Sequence, residues 1–307
     1  MQVSSACRPS VVIGVTVALA IGWGGVAEAG SRLAAPSAAI PVVASTNVYG
    51  DVVKQIGGDK VDVVSIISDP AQDPHSYEAS TRNQLELAKA KIVVENGGGY
   101  DDFVGRMLRS SGNSSAQVVN AVEVSGKSPD AAGEFNEHVW YHYPTMGKLG
   151  DRIADALAKA APADEAAFRK NAQDFKEKVA DLQERTGRID ADHAGEAVAV
   201  TEPVPLYLTE ACGLVNKTPA DFSEAIEEGD EVSPQSLRET LALFTGKKVE
   251  ALVYNEQTAG PQTEKVKEAA ESNGVPVVPV TETLPEGKSY TEWMASNIDA
   301  LAHALDR

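Results

Sequence analysis

Short apolar blocks alternate with polar stretches of helical period along most of this chain. Residues 41–45 (PVVAS), 61–67 (VDVVSII), 92–95 (IVVE) and 117–120 have the composition of short buried strands. Between them, 47–56 is patterned as a helix that stops at Gly57-Gly58. Ser80 suits the cap of a helix running to Ala90, and 100–109 is helical again. Strands alternating with such helices predict parallel strands joined by crossover helices. Over 144–189 the pattern is almost unbroken helix, with Ile153, Leu157, Phe168, Phe175, Val179 and Leu182 near helical spacing. Pro162-Ala163-Asp164 interrupts it, and Asp164 suits the cap of a longer helix over 164–190, roughly 40 Å at ~1.5 Å per residue. A helix of that length either runs along two small lobes or packs inside one domain.

The strand–helix rhythm then resumes. Strands are predicted over 197–201, 251–254 and 275–280, the last with two prolines that suit an edge or a strand end. Helices are predicted over 206–212, from the Ser233 cap to 245, over 261–272 and over 291–305. The expected fold is α/β: two Rossmann-like lobes with parallel sheets joined by a long backbone helix. The expected boundaries are an N-terminal lobe over 41–143, a linking helical region over 144–191 and a C-terminal lobe over 192–307.

The first 29 residues do not follow this pattern. Arg8, the apolar run 11–23 and Ala27-Glu28-Ala29 make a signal peptide over 1–29, followed by an Ala/Ser/Pro-rich flexible leader over 30–40. The apolar run is short for a membrane span, so export is expected, with a retained anchor as the alternative. Cys7 precedes the apolar run, which leaves no lipobox cysteine after it. Cys212 becomes the single cysteine of the mature chain, and no intramolecular disulfide follows.

With 43% hydrophobic and 23% charged residues the composition is that of an ordinary globular protein. The net charge of −18 argues against nucleic acid and anionic lipid as partners and favours cations, though solubility alone accounts for it equally well. Of the five histidines, His75 (in DPHSY) and His138 (in NEHVW) lie beside loop signals rather than in apolar stripes. Neutral imidazole is a common metal ligand, but either histidine alone is as consistent with a helix cap or a backbone contact. Ligands in open α/β sheets bind beyond the carboxyl ends of strands. His75, Glu202 and Glu282 each follow a predicted strand, and His138 closes the first lobe, so two groups from each lobe are expected to converge in one cleft. His193 and His303 lie in polar stretches and are expected at the surface.

These phrases carry a resemblance. Asp-Pro-His before a helix, Ala-Lys-Ala-Lys-Ile-Val-Val-Glu-Asn-Gly at 88–97, His-Val-Trp before the long helix and Glu-Val-Ser-Pro-Gln-Ser-Leu at 231–237 occur in order over nearly the whole mature chain. The chain resembles the substrate-binding proteins of bacterial zinc and manganese ABC importers. That resemblance implies two lobes bridged by a rigid helix with one metal between them. The family's first two histidines fall on His75 and His138. Its third, five positions before an aromatic residue, falls on Glu202 ahead of Tyr207, the carboxylate found in manganese-type members. Its final Asp falls, without gaps, on Thr281, a poor ligand, and Glu282 one position on is chosen instead. His142 is an alternative donor if 138–142 is helical. The His-rich loop of many zinc-binding members is absent between Glu123 and His138. The implied cargo is one Zn2+ or Mn2+ per chain, and the implied partner is an ABC permease served by a monomer. A metal-dependent hydrolase and a surface adhesin on the same scaffold are the competing functions. No His-Glu-x-x-His or Gly-x-Ser-x-Gly motif supports the first.

Overall fold

The computed structural model describes residues 10–14, 38–69, 77, 80–128 and 135–307. Most of the expected signal peptide, most of the leader and His75 therefore lie outside the described residues. Residues 38–307 form one unit, organised around two four-stranded parallel sheets.

The first sheet is built from β1 (Ile40–Thr46), α1 (Asn47–Gly57), β2 (Val61–Ile67), α2 (Thr81–Lys89), β3 (Ile92–Glu95), α3 (Asp102–Ser111) and β4 (Gln117–Asn120), and α4 (Ala121–Ser125) follows it. Its strand order is β2-β1-β3-β4. Two helices come next, α5 (Tyr143–Ala160) and α6 (Glu165–His193). The second sheet is built from β5 (Ala197–Val200), α7 (Leu206–Ala211), β6 (Val215–Asn216), α8 (Ala220–Glu227), α9 (Pro234–Thr245), β7 (Ala251–Asn255), α10 (Pro261–Ser272) and β8 (Val277–Val280), and α11 (Tyr290–Leu305) ends the chain. Its order, β6-β5-β7-β8, repeats that of the first. Strand order therefore reverses beside β1 and β5, the places where such sheets bind ligands.

Successive strand residues face opposite sides of a sheet, and the two sides here feed different cores. Val42 and Ala44 of β1, Ile92 and Val94 of β3, Val198 and Val200 of β5 and Ala251 and Val253 of β7 all enter one central core. Val43 and Val93 pack outward with Ile67, Leu87 and Phe103, and Ala199, Leu252 and Tyr254 with Phe222 and Phe244. Burial on both faces explains why the strands read as near-continuous apolar runs.

The central core crosses the boundary between the sheets. Along the 29 residues of α6, Phe168, Ala172, Phe175, Val179, Leu182, Thr186 and Ile189 are buried in alternating steps of four and three. The helix spans about 44 Å at ~1.5 Å per residue and packs on α1 and α5 at one end and on α7 and α11 at the other. Polar contacts add registry. The Asn47 side chain accepts from Leu284 N and donates to Leu284 O, at 2.9 and 2.8 Å. Tyr290 OH donates to Trp140 O at 2.7 Å and Tyr141 OH to Thr281 O at 2.8 Å. A large hinge motion has to expose this shared apolar surface and break these bonds together.

Three short elements, α4, β6 and α8, differ from the sequence expectation, which left their residues unassigned. β6 has only two residues, and its pairing rather than its pattern defines it. α8 carries Phe222 and little other buried apolar surface, so its period is faint. The last predicted strand begins at Val277 rather than 275, and as expected from its prolines β8 is an edge strand.

Candidate metal centre

The second sheet supplies two carboxylates. Glu202 follows β5 and Glu282 follows β8, and each is only 1% exposed. Asn255, the last residue of β7, lies between them. Its Nδ2 donates to Glu282 Oε1 at 2.9 Å and, in a shorter contact, to Glu202 Oε2. The amide orientation is set by its other end, because Asn255 Oδ1 accepts from Gln257 N at 3.1 Å. The backbone is held as well: Asn255 N donates to Thr201 Oγ1 at 2.9 Å, and Gln257 Oε1 accepts from Glu282 N and from Thr283 N at 3.0 Å. Sharing one amide nitrogen brings the two carboxylates close together, where two negative charges repel in a low-dielectric interior. A dication is well suited to offset that repulsion.

The first lobe supplies His138, which is fully buried. Asn96, just after β3, donates from Nδ2 to Glu137 O at 3.0 Å and so fixes the backbone that precedes the histidine. The turn that delivers Asn96 needs glycine at Gly97. Its φ is +79°, and a Cβ there meets the Asn120 side chain at 2.3 Å. Within this turn Asp101 accepts from Asn96 N and Gly97 N at 2.6 and 2.8 Å. This geometry is the physical content of the Glu-Asn-Gly phrase noted in the sequence.

Asn136 sets the imidazole. Its Nδ2 donates to Pro203 O at 3.0 Å, so its Oδ1 is the acceptor facing His138 Nδ1 at 2.8 Å. His138 Nδ1 therefore donates to Asn136, and its Nε2 lies on the opposite edge of the ring, against Glu227. The same contacts tie His138 to the residue after Glu202. Tyr100 makes a second link. Its ring packs edge-on to His138 at 5.9 Å between centroids, and its OH donates to Glu282 Oε2 at 3.3 Å. Burial, and then the Glu282 charge, push the Tyr100 hydroxyl well above its ordinary range, so it remains a donor.

The sequence-derived residues are thus distributed as follows. Glu202 and Glu282 meet at Asn255, and His138 is linked to them indirectly, by Asn136 to Pro203 and by its ring contact with Tyr100, which bonds Glu282. His75 lies outside the described residues, although Tyr77, two positions on, packs its ring on Phe103 at 4.4 Å. His142 requires a correction as an alternative donor. Residues Val139–Tyr141 form a 3-10 turn rather than an α-helix. His142 bonds Thr145 Oγ1 through Nδ1 at 2.7 Å and packs on Tyr207. Burial, with Lys127 and Lys148 adding to it, pushes the His142 pKa down to about 4.

One nearby carboxylate was not singled out from the sequence. Glu227, the last residue of α8, has Oε1 at 3.3 Å from His138 Nε2. Its only sequence signal was the weak Phe222/Ile226 spacing that places it at a helix end.

A model of the family described as zinc-uptake complex component A, periplasmic (ZnuA) matches residues 42–304. Among curated relatives, the manganese-binding lipoprotein MntA of Bacillus subtilis (strain 168) is 28% identical over 243 residues, 76% of this chain and 77% of the relative. The periplasmic zinc binding protein TroA from Treponema pallidum superposes with a TM-score of 0.74 at 21% identity, covering 88% of this chain and 100% of TroA. The laminin-binding adhesin Lmb from Streptococcus agalactiae, in a mutant structure, superposes at 0.72 with 20% identity, covering 87% and 99%. The superpositions show a shared fold, and the family model spans nearly all of residues 38–307: this chain belongs to the ZnuA family of metal-binding solute receptors.

Proposed function

We propose that this protein captures a divalent transition metal outside the cytoplasm and delivers it to the membrane permease of an ABC importer. The observation that carries this reading is the pair of buried carboxylates that share one amide donor, Asn255 Nδ2. The proposed ligands are His75, His138, Glu202 and Glu282, holding one Zn2+ or Mn2+ per monomer as cargo. Export through cleavage of 1–29 fits the site's extracytoplasmic role. Among the described residues no helix is long and apolar enough to cross a membrane. The membership in a solute-receptor family supports binding rather than catalysis. Four side-chain ligands also leave no open position for a reacting water. An adhesin with the same fold does not by itself account for two buried carboxylates sharing a donor. Equilibrium dialysis with metal quantification tests the proposal: about one equivalent of zinc or manganese retained supports it, and no retention of any divalent transition metal refutes it.

Two imidazoles and two carboxylates suit zinc, manganese and ferrous iron, and the general affinity order places zinc above manganese. In a competition titration zinc is expected to displace manganese at equal free concentration. Displacement in the opposite sense contradicts the assignment. Physiological cargo also depends on supply and on the permease, and growth rescue of a deletion strain by one metal only identifies it.

Metal is expected to tighten loops rather than close a hinge, because the lobes share one core and one long helix. Hydrogen exchange is expected to slow around 200–212 and 280–290 on metal binding, with almost unchanged X-ray scattering profiles. A change of several ångströms in radius of gyration contradicts the rigid-spacer account.

A further inference from the structure

Glu282 belongs to the second lobe by chain, yet the first lobe holds the backbone on both sides of it. Before it, Tyr141 OH donates to Thr281 O at 2.8 Å. After it, the Asn47 side chain takes both backbone groups of Leu284, accepting from its N at 2.9 Å and donating to its O at 2.8 Å. One turn along α1, Asp51 Oδ2 accepts from Tyr290 N at 2.8 Å, where α11 begins. Residues one turn apart lie on one face of a helix, so α1 grips the segment 281–290 at two points. Gln55, a further turn on, donates to the same Asp51 oxygen at 2.6 Å and steadies it. The second lobe contributes Gln257, whose Oε1 accepts from Glu282 N and Thr283 N.

Asn47 is suited to this task by its place and its chemistry. It opens α1 directly after β1, at the carboxyl end of the sheet where strand order reverses. A primary amide offers a donor and an acceptor together, so it pairs with Leu284 as a neighbouring strand would. Leu284 is two residues beyond Glu282, and at ~3.5 Å per residue a fixed Leu284 keeps the Glu282 backbone within about 7 Å of it. The carboxylate that meets Glu202 at Asn255 is thus held in place through bonds to the opposite lobe.

We propose that Asn47 is a positioning residue for Glu282, holding that carboxylate in the metal site from the opposite lobe and so setting how long the site keeps its ion. This inference rests on the metal-binding function and the ligand set proposed above. A bound dication leaves as its ligands let go one after another, and a carboxylate on a loosened segment lets go sooner. Capture depends on charge and access, which Asn47 does not set. The effect therefore falls on release.

Transfer of zinc from the loaded full chain to an excess of a chromogenic chelator, followed by stopped flow, tests the proposal. Asn47→Leu is expected to release zinc at least about fivefold faster than the parent, with association changed by less than about twofold. Asn171→Leu is the control. It removes the 2.9 Å bond from Asn171 Nδ2 to Ile56 O at the far end of the same helix, and release at the parental rate is expected. Asn47→Asp keeps the acceptor for Leu284 N but sets a carboxylate oxygen against Leu284 O. It is expected to speed release at least about threefold, and it carries the test should the leucine variant not fold. A double-mutant cycle separates positioning from general loosening: in a Glu282→Gln background, Asn47→Leu is expected to change release by less than about twofold. Parental release by the Asn47 variants overturns the proposal, as does equal acceleration with and without the Glu282 carboxylate. A parent chain that takes up no zinc overturns the functional reading itself and this inference with it.

Discussion

Replacing His138 with alanine is expected to lower zinc affinity by more than about 100-fold, since the loss of residues that merely orient a ligand already costs 10- to 100-fold. The reason lies in how much of the first lobe is committed to this ring. Asn96 fixes the preceding carbonyl, Asn136 sets the proton on Nδ1, and Trp140 and Tyr100 pack around the imidazole. His142 is not placed to substitute, because it is bonded to Thr145 and packed on Tyr207. Carboxylate loss is expected to be better tolerated. Glu202 and Glu282 lie on either side of one amide, and either one, aided by water, partly replaces the other. The expected order of damage is His75→Ala and His138→Ala first, then Glu202→Ala, then Glu282→Ala, read by calorimetric titration at pH 7. Parental binding by Glu282→Ala means that the fourth ligand is misassigned. Water or another carboxylate of the second lobe, Glu227 foremost, then takes its place.

The second large effect is expected at Asn255, a residue that binds no metal. Substitution by leucine removes both donations to the buried carboxylates and leaves them facing one another. The expected cost to the metal-free protein is about 2–4 kcal/mol, the range for stranding buried polar and charged groups. In a protein of this size that lowers the midpoint of thermal unfolding by roughly 4–7 °C. Saturating zinc is expected to recover a larger share of stability in Asn255→Leu than in the parent, because the dication takes over the role of the lost amide. Differential scanning calorimetry with and without zinc reads both quantities. An unchanged midpoint in the metal-free variant shows that the shared amide does not hold the carboxylates together.

Much of the architecture was legible because the strands are buried on both faces and so announce themselves as apolar runs. Ile40–Thr46 and Ile92–Glu95 were recognisable on those grounds, and α6 by its stripe from Phe168 to Ile189. α8 was not legible. Eight residues with Phe222 as the one large buried side chain are held by the core beneath them rather than by their own period. Glu227 was missed with it. Asn255 escaped notice for another reason: a strand-terminal asparagine looks like a turn residue. Its role emerges only once parallel pairing sets β7 between β5 and β8. The orientation of the His138 ring is likewise a tertiary fact, since its partner Asn136 is held by Pro203 in the other lobe.

The most direct test of the assigned ligand set is anomalous diffraction from crystals of the full mature chain loaded with zinc, recorded on both sides of the metal absorption edge. One strong anomalous peak is expected, coordinated by His75, His138 through Nε2, Glu202 and Glu282, with Asn255 still bonded to the carboxylates. A peak whose coordination includes neither Glu202 nor Glu282 contradicts the account.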